Sequence, residues 1–174
     1  SEALTFFPMN PLFYYFNGIS NKWCEKYDQA IESFTTGLDF VVDNDLLLLE
    51  YYSSLGDVYN DIKEYSKSDN YFEKALQLDS NNVIILNNYA YYLSLRREKL
   101  EKAKKMSYQA NILEPDNGTY QDTYAWILYQ QQNYLEAKEW INKAIENDGH
   151  KSAVIIEHYG DILYKLDDIK NAVD

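Results

Sequence analysis

The chain has 174 residues, enough for one domain with a substantial core, and it contains only six glycines and three prolines. Its formal net charge of −12 argues against a nucleic-acid or anionic-membrane partner, because affinity for phosphate comes mainly from Lys and Arg. Cys24 is the only cysteine, which excludes an internal disulfide and a thiolate metal cluster. Uninterrupted apolar runs such as Leu46–Leu49 are far too short to span a bilayer, so we expect no membrane insertion of this segment.

Few chain breakers and long runs of helical periodicity predict an all-α protein. Two ladders of small residues then mark an internal repeat. The first ladder is Gly18, Gly56, Ala90, Ala125 and Gly160, spaced 38, 34, 35 and 35 residues apart. The second ladder is Ala30, Ser68, Ala103, Ala137 and Ala172, spaced 38, 35, 34 and 35 residues apart. In each repeat, the residue of the first ladder lies on the first predicted helix, and the residue of the second ladder lies near the start of the second helix. These small residues would allow the paired helices to approach closely.

Taken in order, the whole chain, 1–174, is interpreted as a single array of helical pairs. Its predicted segments are 1–10, the end of a preceding second helix; 11–48, repeat 1 with an insertion; 49–82, repeat 2; 83–117, repeat 3; 118–152, repeat 4; and 153–174, a partial repeat 5. Repeat 1 is the weakest, since Gly37 stands where Ala is expected and extra residues near Asp43–Leu46 predict a longer loop or a helix extension. Because both ends fall inside a predicted repeat, we expect the array to be part of a longer protein.

The segments LGDVYNDIKEYSKSDNYFEKAL, from Leu55, and YAWILYQQQNYLEAKEWINKAI, from Tyr124, resemble the tetratricopeptide repeat (TPR). That family places a small residue at position 8, Tyr or Leu at 11, Ala at 20, a large apolar residue at 24, Ala at 27 and often Pro at 32. Repeat 4 matches with Ala125, Leu128, Ala137, Ile141 and Ala144, whereas Gly149 replaces the common Pro. The resemblance implies an all-α, right-handed superhelical α-solenoid of antiparallel helix pairs.

The resemblance further implies that first helices line a concave groove through positions 2, 5, 6, 9, 12 and 13. The candidate partner-binding residues are Asp57, Asn60, Asn87, Tyr91, Asp122, Trp126, Tyr129, Gln130, Glu157, Asp161 and Tyr164. Aromatic rings flanked by carboxylates suit a neutral or basic peptide or partner helix. The alternative is that Trp126 and the tyrosines pack between adjacent first helices.

One known TPR mode clamps a terminal carboxylate with Lys at position 5 and Asn at position 9. Here those positions hold the pairs Ser53/Asp57, Asn87/Tyr91, Asp122/Trp126 and Glu157/Asp161, so the clamp is absent. The basic run from Arg96 to Lys105 is either a docking surface or a solvated helix face.

No catalytic constellation, cofactor motif or metal motif was found, and the only histidines, His150 and His158, do not form an i, i+4 pair. We therefore expect a non-catalytic protein-interaction scaffold without a cofactor. The alternative is the regulatory or assembly arm of a larger bacterial enzyme or envelope complex whose chemistry lies outside this segment. An RNA-reading helical repeat is disfavoured by the charge.

The segments LNNYAYYLS, DTYAWILY and EHYGDILY resemble segments of bacterial TPR proteins, several of which are envelope lipoproteins. This resemblance favours the cell envelope, through an anchor outside this segment, over the cytoplasm. Exposed apolar ends of the segment would also allow it to self-associate end to end.

Overall fold

The computed structural model describes residues 5–147 and 151–167. Within these ranges it contains nine α-helices and no strand, which confirms the predicted fold class. The chain divides into two compact units, Ser1–Ser80 and Asn81–Asp174. Unit 1 contains α1 (Pro11–Trp23), α2 (Tyr27–Leu38), α3 (Asp45–Asp61) and α4 (Tyr65–Leu78). Unit 2 contains α5 (Val83–Arg96), α6 (Leu100–Leu113), α7 (Gly118–Gln130), α8 (Tyr134–Glu146) and α9 (Ala153–Lys165).

Odd-numbered helices are the first members of the pairs, and each of them begins at a polar cap. The capping side chains are Asn10, Asn44, Asn82, Asn117 and Ser152, and each accepts a hydrogen bond from a backbone N–H in the first turn. An Asn or Ser cap supplies an acceptor for one of the N–H groups that have no partner inside the helix. The second helices α2, α4, α6 and α8 have no such side-chain cap. They begin instead directly from the tight turn that ends the first helix.

Those tight turns are built alike along the chain. Each has a left-handed residue seven positions after the small residue of the first ladder: Glu25, Lys63, Arg97, Gln132 and Asp167, with φ between 56° and 64°. In four of them the next backbone N–H donates five residues back, as from Glu64 to Tyr59 O at 2.8 Å and from Asn133 to Leu128 O at 2.9 Å. This bond satisfies a carbonyl at the helix end and fixes the chain reversal. None of these left-handed positions is a glycine, which removed the usual sequence signal for them.

The described members of both small-residue ladders lie in the core, except Gly160, which is half-buried. Gly18 is buried on α1, and Ala90, Ala125, Ala103 and Ala137 have no exposed surface. A Cβ at Gly18 would come within 2.5 Å of the Phe34 ring, so the glycine allows α1 and α2 to pack this closely. Ala172 lies outside the described residues, as do the first four residues of the predicted preceding helix.

The irregular features of repeat 1 have a structural explanation. A Cβ at Gly37 would collide with the Tyr51 hydroxyl and with Cβ of Tyr14, so the Ala of the family pattern would not fit there. The Tyr51 hydroxyl donates to the carbonyl of Pro11 at 2.5 Å. The extra residues form both a longer loop and a helix extension. The loop covers 39–44, after α2 ends at Leu38, and α3 begins early, at Asp45.

Candidate partner-binding surface

In unit 2 the three first helices pack side by side, since α7 contacts both α5 and α9. This brings together most of the side chains that the sequence singled out. Asn87 and Tyr91 lie on α5; Asp122, Trp126, Tyr129 and Gln130 on α7; Glu157, Asp161 and Tyr164 on α9. We refer to these nine residues as the unit 2 face.

Asp122 is much less accessible than a groove carboxylate was expected to be. It is 4% exposed, and its Oδ1 lies 2.8 Å from Nδ1 of His158, which is 5% exposed. A buried carboxylate is costly unless it is paired and hydrogen-bonded, and the imidazole supplies that partner. The pair joins α7 to α9 and fixes the orientation of both side chains.

The face of the His158 ring is covered by an aromatic side chain. The Trp126 ring stacks on it with centroids 4.0 Å apart and an interplanar angle of 12°. The other stacking partner of Trp126 is Tyr129, at 4.7 Å and 8°. Trp126 therefore packs between adjacent first helices, although its Nε1 is buried with no hydrogen-bond partner among the described residues. Tyr164, by contrast, is 63% exposed.

Two cavities open at the two ends of the unit 2 face. The cavity near the helix starts has a volume of about 290 Å³. Its lining comes from all three first helices and the α9 cap: Asn87, Asn88, Tyr91, Thr119, Asp122, Thr123, Ser152, Val154 and Ile155. The cavity near the helix ends has a volume of about 240 Å³ and is lined by Arg97, Tyr129, Gln130, Gln132, Tyr134 and Lys165. We call them the Asp122 cavity and the Arg97 cavity.

Electrostatics differ between these ends. Burial raises the pKa of Tyr91, and the nearby Asp122 and Glu157 carboxylates raise it further. Burial also raises the pKa of Tyr129, with Asp161 acting in the same direction and the Arg97 guanidinium acting against it. The field is therefore negative beside the Asp122 cavity, whereas a cation offsets the carboxylate beside the Arg97 cavity.

In unit 1 the predicted residues Asp57 and Asn60 lie on α3 and are half-buried. Lys22 Nζ on α1 lies 2.9 Å from Asp57 Oδ2, so this carboxylate already has a cation beside it. Burial raises the pKa of the neighbouring Asp61, and the Asp57 charge adds to the rise while Lys22 opposes it.

The pairings of Lys22 with Asp57 and of His158 with Asp122 were not predicted, because each joins two different repeats. The signal was present: Lys22 precedes Asp57 by 35 residues and His158 follows Asp122 by 36, close to one repeat period in each case. Tyr15 and Glu50, also 35 apart, hydrogen-bond at 3.0 Å. Polar residues that lie about one period apart on neighbouring first helices therefore form contacts in these three cases.

Two lysines of the basic run contact aromatic rings, whereas Arg97, Lys99 and Lys105 are exposed. Lys102 Nζ lies 4.7 Å from the centroid of the Tyr89 ring, and Lys104 Nζ lies 5.9 Å from that of Tyr124. Cation–π contacts and the aliphatic stems of these lysines cover the buried tyrosines of the core. Neither interpretation of the basic run included this packing role.

No group of three or more His, Cys, Asp or Glu side chains within 5–147 and 151–167 is arranged to hold a metal ion. A search for membrane spans found none among the described helices, all of which are too short or too polar to cross a bilayer.

A stack of antiparallel helix pairs with a period near 35 residues is an α-solenoid. A model of the tetratricopeptide repeat family matches residues 49–82 and 120–150. Together with the helical pairs, these matches show that the chain contains tetratricopeptide repeats at these residues and has an all-α, TPR-like solenoid fold.

Among characterised relatives, the chain is 27% identical to the type IV pilus assembly protein PilF of Pseudomonas aeruginosa over 116 residues, 66% of this chain and 45% of PilF. It is 26% identical to the TPR repeat-containing protein PA4667 of the same organism over 102 residues, 59% of this chain and 17% of that protein. The chain thus spans less than half the length of these relatives.

Solved structures show the same fold. P. aeruginosa PilF matches with a TM-score of 0.79 and 22% identity, covering 93% of this chain and 71% of PilF. YrrB, described as a TPR protein with an unusual peptide-binding site, matches with a TM-score of 0.71 and 17% identity, covering 98% of this chain and 85% of YrrB.

Proposed function

We propose that the chain is a non-catalytic scaffold that binds a protein segment of neutral or basic charge along the unit 2 face. The observation that carries this proposal is the convergence of α5, α7 and α9 on one surface, with a cavity lined by side chains of all three. Cavities lined by a few fixed polar groups among apolar ones are typical of binding sites. The YrrB structure supports the proposal, since a peptide-binding site is described on the same fold.

Charge complementarity selects the class of partner. Glu157 and Asp161 are exposed on α9, Asp122 lies beside them on α7, and the chain as a whole carries −12. A basic segment would be attracted to this face, whereas an acidic segment would be repelled. The aromatic surface of Tyr91 and Tyr164 offers contact area at low conformational cost.

The test uses two fluorescent 12-residue peptide libraries of equal apolar content, one carrying Lys and Arg and the other Asp and Glu at its variable polar positions. We expect the full chain to select the basic library. Glu157→Gln should weaken the selected peptides by about threefold to tenfold. Glu139→Gln, the same change at an exposed site on the second helix α8, is the matched control and should leave affinity unchanged. Preference for the acidic library, or equal losses in the two variants, would refute the proposal.

A second candidate function is an assembly arm within a bacterial envelope complex. It is supported by the likeness to PilF, a pilus assembly protein, and by the chain spanning only part of its relatives. Fractionation of source cells that express the epitope-tagged full-length gene product tests this function. We expect the tagged protein in the envelope fraction, and recovery in the cytosolic fraction alone would contradict it.

A further inference from the structure

The Asp122 cavity combines one carboxylate with several neutral polar side chains. Asp122 lies in its wall together with Asn87, Asn88, Thr119 and Ser152. Asn87 is 5% exposed, and its Oδ1 has no hydrogen-bond partner in the described part of the chain. An acceptor left without a donor in a buried position is costly, so a ligand that brings donors would stabilise it.

Apart from Thr123, the rest of the wall is apolar or aromatic. Tyr91, Val154 and Ile155 contribute the aromatic ring and the branched aliphatic side chains. A volume of about 290 Å³ holds one long side chain with part of its backbone and is too small for a folded element. An elongated ligand with methylene groups and a cationic end fits both kinds of wall.

The Asp122–His158 pair decides which cation fits. Oδ1 of Asp122 is engaged by His158 Nδ1 at 2.8 Å, and the stacked Trp126 ring holds the imidazole in place. A guanidinium gains most from a carboxylate when it can donate to both oxygens in a planar fork. With one oxygen already engaged, the site suits an ammonium group, whose three donors can be shared among Asp122, Asn87 and a hydroxyl.

We propose that the Asp122 cavity is a specificity pocket for one lysine side chain of the bound protein segment, with the Asp122 carboxylate as its counterion. This inference rests on the proposed function, because the lysine belongs to the segment held on the unit 2 face. His158 is a positioning residue: it orients the carboxylate and does not contact the ligand.

The experiment separates the pocket from the groove by using capped single amino acids. ¹⁵N-labelled full chain is titrated with N-acetyl-lysine methylamide, and in parallel with the norleucine and arginine analogues, while backbone amide shifts are followed by NMR. Norleucine keeps the methylenes and lacks the ammonium. We expect the lysine probe to shift amides around the Asp122 cavity and to bind about tenfold more tightly than the norleucine probe and severalfold more tightly than the arginine probe.

Variants test the counterion. Asp122→Asn should reduce affinity for the lysine probe by about tenfold, whereas Asp28→Asn, the same change at an exposed site on α2 outside the unit 2 face, should change it less than about twofold. Thermal melts check that both variants fold. If Asp122→Asn does not fold, the comparison of lysine with norleucine on the unaltered chain still decides the question.

Equal affinity for the lysine and norleucine probes, or amide shifts distributed over the whole acidic surface, would refute the proposed lysine pocket. The same comparison within a selected peptide distinguishes the two proposals. A peptide that binds the unit 2 face and tolerates Lys→norleucine without loss refutes the lysine pocket alone. Absence of binding by any peptide library refutes the proposed function.

Discussion

Units 1 and 2 use different residues at two equivalent places: the contact between the two helices of a pair, and the contact between neighbouring first helices. At the contact between a first and a second helix, unit 1 pairs glycine with phenylalanine, Gly18 with Phe34, where unit 2 pairs Ala125 with Ile141. Between neighbouring first helices, unit 1 neutralises Asp57 with Lys22, where unit 2 holds Asp122 with His158. The first difference conserves total volume across the helix contact.

The second difference concerns function. The Lys22–Asp57 pair is about one-fifth exposed and the lysine offsets the carboxylate charge directly. The imidazole of His158 contacts one oxygen of Asp122 and orients the carboxylate. Unit 2 therefore holds a carboxylate of fixed orientation beside a cavity, which is why the partner-binding site is proposed in this unit.

The largest expected effect comes from removing the partner of each carboxylate. His158→Leu leaves Asp122 buried without its hydrogen bond, so we expect the free energy of unfolding to fall by about 3 kcal/mol. Lys22→Met removes a partly exposed ion pair and should cost about 1 kcal/mol or less. Urea denaturation followed by circular dichroism measures both.

A double variant provides the control for this prediction. Replacing Asp122 and His158 together with leucine removes the buried charge along with its partner, and much of the lost stability should return. Equal losses for His158→Leu and Lys22→Met would mean that the two pairs are energetically alike and that the contrast between the units is wrong.

The glycine–phenylalanine pairing is expected to give the next largest effect. Gly18→Ala gains about 1 kcal/mol in helix propensity but places Cβ within 2.5 Å of the Phe34 ring, and overpacking of this kind costs about 1–3 kcal/mol. We expect overpacking to prevail and the variant to lose about 1 kcal/mol of unfolding free energy.

The sign of that effect should reverse when the ring is made smaller. In a Phe34→Leu background the added methyl group has room, so Gly18→Ala should become neutral or stabilising by up to about 1 kcal/mol. A thermodynamic cycle of the four proteins measures this coupling. If Gly18→Ala destabilises both backgrounds equally, the glycine is required for a reason other than the volume of its partner.

The fold was predictable because its determinants are local and periodic. The ladders through Gly56, Ala90 and Ala125 record which residues must be small, and helix bounds follow from caps such as Asn82 and Asn117. The cost of a Cβ at Gly37 was not predictable, because it depends on Tyr51, a residue of the next repeat.

Prediction of the site was less complete for the same physical reason. The sequence identified Asp122, Trp126 and Tyr129 as one helix face, and α7 brings them together. It could not specify that His158 would bury Asp122 and stack on Trp126, because both contacts depend on the packing of α7 against α9. In the sequence, the only sign of such contacts between neighbouring repeats is that the two partner residues lie about one repeat period apart.

The smallest expected effect is confined to alkaline solution, and it compares one buried tyrosine from each unit. In unit 2, burial raises the pKa of Tyr124 to about 12, with smaller contributions from Glu136 and Tyr108. The unfolded chain loses this proton near pH 10, whereas the native chain retains it, so the stability contributed by the neutral phenol is fully present below pH 10 and is lost as the pH rises towards 12. In unit 1, burial raises the pKa of Tyr51 as well.

Tyr51 differs from Tyr124 in that its hydroxyl donates to the Pro11 carbonyl. Tyr51→Phe should therefore lower the unfolding free energy by about 1 kcal/mol even at pH 8, because this part-buried hydrogen bond is lost. Tyr124→Phe should change little at pH 8 and become progressively more stable than the unaltered chain between pH 10 and pH 12, since phenylalanine has no proton to lose. Urea denaturation at pH 8, 10 and 11.5 measures both trends. A Tyr124→Phe curve parallel to that of the unaltered chain across this range would show that burial on α7 does not hold the phenol in its neutral form.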